Sequence, residues 1–133
     1  MAKIKSSKAK GARFERELAS RFREYGYTES RRTAQYCGNT GDAPDITGVD
    51  GLHIECKRAE QVRDEVFLQQ AERDARKGEI PVVMYRRNGE TWKANLRLEL
   101  FMLIWNELTD LQKARIREKV KFSVKPNKNG KGA

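Results

Sequence analysis

Asp45, Glu55 and Lys57 stand in one short stretch, APDITGVDGLHIECKRAE (43–60), whose other residues alternate like paired strands. Two acids and a lysine at such spacings suit a site that holds a hard divalent cation. Mg²⁺ is commonly bound by one or two carboxylates together with waters and substrate phosphate. A cation held in that way activates water and stabilises charge on a phosphodiester. Lys57, two residues from Glu55, would orient or deprotonate the attacking water, or steady a pentavalent phosphorus. The plainer alternative is a solvated Glu55–Lys57 pair, worth ~0–1 kcal/mol, with Asp45 serving only as a turn residue.

Asp45–Val49 and Leu52–Arg58 read as strands joined by turn chemistry at Asp50-Gly51. Side chains alternate across a strand. Leu52, Ile54 and Cys56 therefore share the core face, and His53, Glu55 and Lys57 share the other, which would line a cleft. A tight hairpin returns Glu55 to the neighbourhood of Asp45. The helix expected over Ala12–Tyr25 contributes a third acid. With Phe14 at 0° and steps of ~100°, Leu18, Phe22 and Tyr25 fall within one apolar arc. Glu15 lies at the edge of that arc, while Glu17 lies outside it and should face solvent. Three converging carboxylates at ~4–5 Å would repel by roughly 3–4 kcal/mol per pair at an effective dielectric of 20. A divalent cation removes that cost.

The elements that would position these groups follow in order. Residues 1–10, rich in lysine and serine, read as a flexible basic arm. After the first helix and its Gly26 stop, residues 27–34 suit an edge strand and YCGNTGDAP a loop. The strand pair leads to a helix over 64–77, a buried strand over 80–86 and a further strand around 91–96. Leu96 to Val120 reads as helix broken near Thr109, and its first half, Leu98–Leu108, is apolar on more than one face. That surface either covers the sheet or meets a second copy of the chain. A basic tail closes the sequence. The expected fold is α/β or α+β, with a mixed central sheet flanked by helices. The domain boundaries are 11–108, with 109–133 as helix and disordered tail.

The 133 residues carry 28 basic and 19 acidic side chains, a net charge of +9, and the pI is near 9.8. That balance favours a polyanionic partner, nucleic acid first. No secretory h-region follows the basic start and no apolar run reaches membrane-spanning length. A soluble, cytoplasmic protein without a membrane partner is expected. The two cysteines have neither disulfide-framework nor zinc-ligand spacing. Cys56 fits the core, and Cys37 falls in the loop.

Pro44-Asp45 followed by IECK at 54–57 resembles the PD-(D/E)XK motif of the restriction endonuclease-like nuclease superfamily, on its usual strand–turn–strand. KGARFERELASRFREYGY (10–27) is similar to the first helix of archaeal- and phage-type Holliday junction resolvases. GEIPVVMYRRNGETW (78–92) resembles their later strands, so the likeness spans roughly residues 10–95. It implies that Glu15, Asp45 and Glu55 bind Mg²⁺ or Mn²⁺, that Lys57 joins them in catalysis, and that Arg16 and Arg31 contact DNA or support the site. Arg31, Arg32, Arg58 and the terminal lysines are further candidates for phosphate contacts. The chain departs from the archaeal pattern in a longer loop, containing Asp42, and in its C-terminal extension. Asp42 reads as a turn residue. Gln70 reads as sheet-facing, and His53 as a cleft-side neighbour of Glu55 rather than a general base.

The implied activity is metal-dependent endonucleolytic cleavage of four-way junctions or related branched DNA by a homodimer. The competing readings are a nuclease acting on duplex, flap or phage replication DNA, and a non-catalytic, structure-selective DNA-binding protein.

Overall fold

A computed structural model of the protein describes residues 7–33, 43–58 and 63–120. Two compact units divide the chain, residues 1–96 and residues 97–133. The division falls directly after the last strand, earlier than the 108/109 boundary expected from the sequence.

The first unit runs α1 (Ser7–Glu24), β1 (Arg31–Arg32), β2 (Ile46–Thr47), β3 (Leu52–Arg58), α2 (Asp64–Asp74), β4 (Ile80–Arg86) and β5 (Lys93–Asn95). The strands form one sheet in the order β1-β2-β3-β4-β5. β3 and β4 are parallel from Leu52↔Ile80 to Arg58↔Arg86, and the other neighbours are antiparallel. α2 is the crossover that a parallel β3–β4 pair requires. The expected mixed sheet flanked by helices is therefore the fold.

Two apolar layers hold it. Phe14, Leu18, Ala19 and Phe22 of α1 pack on Ile46, Val49, Ile54, Cys56 and Val82. Each large side chain buried there contributes roughly 1.5–3 kcal/mol before entropy is counted. On the opposite sheet face, Leu68 and Ala71 of α2 pack with Phe67 against Val83. The small Ala71 lets the helix lie close to the sheet. The charged face of β3 is thus roofed by α2 instead of bordering open solvent.

Element ends differ from the sequence reading where local hydrogen bonds decide them. α1 begins at Ser7, within the stretch read as a flexible arm; residues 1–6 lie outside the described ones. α2 stops at Asp74, three residues early. Ala75 turns extended, and the freed Arg76 N–H donates to Glu79 Oε1 at 2.7 Å. β1, β2 and β5 are two or three residues long.

β2 ends at Gly48, whose φ is +87°. A Cβ there would run into the carbonyl oxygen of Glu29. Gly48→Ala combines a left-handed backbone with that clash. It should cost well over 1 kcal/mol, which is on the order of 4–8 °C in Tm for a unit of this size. Thermal denaturation by circular dichroism checks it, and an unchanged Tm refutes the close approach.

Glu17, expected to face solvent, is paired instead. Arg86 at the end of β4 reaches it, and its guanidinium lies 5.3 Å from the ring centres of both Phe14 and Trp92. Those rings are 4.5 Å apart. Arg13 adds a looser contact to Glu17 at 3.6 Å. A helical wheel misses this pairing because Arg86 lies 69 residues away in sequence. The guanidinium charge thus sits against the aromatic pair while it reaches the Glu17 carboxylate.

The second unit contains α3 (Leu98–Glu107) and α4 (Asp110–Lys119). The expected break at Thr109 is a capping box. Thr109 Oγ1 accepts from Gln112 N–H at 3.1 Å, and Gln112 Oε1 accepts from Thr109 N–H at 2.8 Å. α3 has no buried residue, and Leu98, Phe101, Met102, Leu103 and Ile104 are exposed.

Candidate active site

Asp45 is held by backbone bonds on both sides. Its N–H donates to Ile54 O on β3 and its carbonyl accepts from Thr33 N–H, each at 2.9 Å. The Ile46↔Ile54 register then sets Asp45 beside Glu55. Its Oδ2 accepts from the Cys56 N–H at 2.8 Å, so the carboxylate is fixed against β3.

Glu55 is only 4% exposed. Burial, then the negative charge of Asp45 and a hydrogen bond between the two carboxyls, push its pKa up to about 8; nearby Lys57 opposes the rise and Asp74 adds to it. Two carboxyl groups this close share a proton unless a cation neutralises them. Lys57, two residues on, hydrogen-bonds Gln70 Oε1 at 3.4 Å and lies 5.1 Å over the Phe67 ring. Gln70, read from the sequence as sheet-facing, therefore meets Lys57 from α2, as Phe67 does.

Glu15 reaches the same neighbourhood from α1. Its pKa is raised by burial and by Asp45, against the opposing influence of Arg32 and Lys57. Its Oε2 accepts from Arg32 Nε at 2.6 Å. Arg32, a candidate DNA contact, thus occupies Glu15 in this structure. Arg16 and Arg31 are exposed. The Arg58 side chain, Asp42 and Cys37 lie outside the described residues. Cys56 sits in the core, where burial drives its thiol pKa far upward; it is a packing residue.

The face of β3 brings in further residues. His53 is 1% exposed, and its Nε2 lies 2.8 Å from Glu55 Oε1. Among the described residues, the group that gathers three potential ligand atoms within 4.8 Å is His53, Glu55 and Asp74. It was the trio Glu15, Asp45 and Glu55 that the sequence pointed to. Asp74 is not among the residues the motif marks, although it lies one helical turn beyond Gln70 (i, i+4) and so shares its face of α2.

A family model described as phage putative PDDEXK endonuclease matches residues 6–132. The chain belongs to that family. This PD-(D/E)XK endonuclease accordingly has the restriction endonuclease-like α/β core, and DNA is its substrate class. The match runs through α3 and α4, beyond the residues that carried the motif resemblance. Among curated proteins and among solved structures, nothing matches the chain significantly. The donor chemistry of the nuclease fits a hard divalent cation. Asp45 and Glu55 offer hydrogen-bonded carboxyl oxygens whose shared proton a cation would replace, and the Glu15 carboxyl feels the charge of Asp45.

Proposed function

We propose that the protein is a Mg²⁺- or Mn²⁺-dependent endonuclease that cuts four-way junctions or related branched DNA as a homodimer in the cytoplasm. The observation that carries the catalytic reading is the Asp45–Glu55 carboxyl pair, a half-buried Asp45 against a buried Glu55 at the β2–β3 hairpin, with Lys57 two residues on. Asp45, Glu55 and Glu15 would hold the cation. When bound, it lowers the pKa of a water and neutralises charge on the phosphate.

The chain's own residues supply the rest. Asp45, clamped by backbone bonds, presents its carboxylate without reorganisation. Lys57, steadied by Gln70 and Phe67, donates to the phosphate oxygens or orients the attacking water. Hydrolysis forms one P–O bond to water and breaks one to a sugar oxygen, which takes a proton. Arg32 keeps Glu15 in place and has further N–H groups for a phosphate. Arg16, Arg31 and Arg58 contact the backbone of the DNA. Net charge of +9 and the lack of a sequence-reading motif support recognition by shape. The exposed apolar residues of α3 support self-association, and two-fold symmetry would suit paired cuts.

The test is a panel of labelled four-way junction, flap and linear duplex, each with Mg²⁺ or EDTA. Symmetric, Mg²⁺-dependent cuts in the junction alone are expected. Equal cutting of duplex or flap moves the substrate to ordinary or replication DNA. Binding without cutting under any metal overturns the enzyme reading. Light scattering at micromolar concentration should return twice the 15.4 kDa chain mass, and a monomer mass refutes the dimer.

A further inference from the structure

Glu55 also borders a second group of ligand side chains. His53 Nε2 lies 2.8 Å from Glu55 Oε1, and Asp74 completes the cluster within 4.8 Å. The other imidazole nitrogen, Nδ1, is buried, has no hydrogen-bond partner and lies 4.0 Å from Glu79 Oε1. His53, Asp74 and Glu79 line one cavity of about 280 Å³, bordered by the β2–β3 turn. A buried nitrogen left without a partner is destabilising.

A cation among Nε2, Glu55 and Asp74 would meet the Nε2 lone pair and both carboxyls together, and the buried, unpartnered Nδ1 would then carry the proton and face Glu79. Metal-bound histidines usually donate their second N–H to a carboxylate in this manner.

We propose that His53, Glu55 and Asp74 form a divalent-metal site of their own, with Glu79 as the residue that orients the imidazole. An imidazole beside two carboxylates suits a borderline ion, Zn²⁺ foremost, whereas Mg²⁺ prefers oxygen donors alone. Glu55 is shared with the Asp45 side, so the two groups adjoin. Their other donors come from different elements: β3 and the last turn of α2 here, the start of β2 and α1 there.

His53 is the one histidine of the chain, so imidazole ¹⁵N–¹H spectra report this site without ambiguity. Zn²⁺ titrated into the full-length protein should shift the Nε2 resonance at one equivalent and leave Nδ1 protonated. Asp74→Asn should weaken that response at least tenfold. Glu79→Gln keeps an acceptor for the Arg76 N–H and should weaken it by about 10- to 100-fold. Asp45→Asn should retain the response. If Asp74→Asn does not fold, as judged by circular dichroism, Glu79→Gln carries the test.

Imidazole resonances unmoved by saturating Zn²⁺ would overturn the proposal. So would a response that is lost in Asp45→Asn but kept in Asp74→Asn. A Zn²⁺ response in a protein that cuts no DNA supports this site and counts against the nuclease assignment alone.

Discussion

Glu55→Gln should abolish cleavage, lowering the single-turnover rate on the order of 10³-fold or more, while leaving DNA binding intact and making the protein more stable. The rate falls because the amide cannot supply the anionic oxygen that holds a cation; a loss of ~4 kcal/mol from the barrier term corresponds to about 10³. Binding should survive, because the proposed phosphate contacts are basic side chains other than Glu55. Stability rises because the native carboxyl is nine-tenths buried and sits beside Asp45 and Asp74. Gln keeps the shape and removes the repulsion, the usual trade between a strained site and a stable fold. Cleavage of labelled junction, a binding titration and a thermal melt on one preparation read all three effects. A wild-type rate in this variant would sink the assignment of the site.

The same carboxyl predicts an unusual pH profile. Unfolded, Glu55 loses its proton near its ordinary value of 4.5; folded, it keeps the proton until about pH 8. Between those values the native state binds more protons than the unfolded chain. Its contribution to stability is therefore fully present below about pH 4.5 and lost as pH rises through about 8. Glu15, shifted upward as well, acts in the same direction. At the proposed site Mg²⁺ should reverse the trend, because it would bind the deprotonated carboxylates and release a proton on doing so. The Tm of the metal-free protein should fall from pH 5 to pH 8, and the gain from added Mg²⁺ should grow over that range. Glu55→Gln should flatten both slopes. A metal-free Tm that rises steadily with pH across this window would refute the shared-proton picture.

The alternation of residues 52–57 was enough to place Glu55 and Lys57 on one face and Ile54 and Cys56 on the other, since strand period allows nothing else. The turn residues Asp50-Gly51 brought Asp45 back to Glu55 for the same local reason. Helical period put Glu15 at the margin of the apolar arc, and the break between α3 and α4 was readable near Thr109. Each of these rests on neighbours in sequence.

Contacts between distant segments were not legible. That α2 roofs the charged face of β3, burying Glu55 and His53, follows from which sheet face the parallel crossover covers. The Arg32–Glu15 and Arg86–Glu17 pairs join residues 17 and 69 positions apart, and the reach of an arginine stem leaves many partners open until the backbone is placed. Asp74 and Glu79 meet His53 only because α2 ends early and the chain turns back into β4. The sequence by itself determined the hairpin and the face its acids occupy, because those follow from period and turn chemistry. Only the tertiary structure decided how deeply they are buried and what else they touch, because burial depends on how separate elements pack.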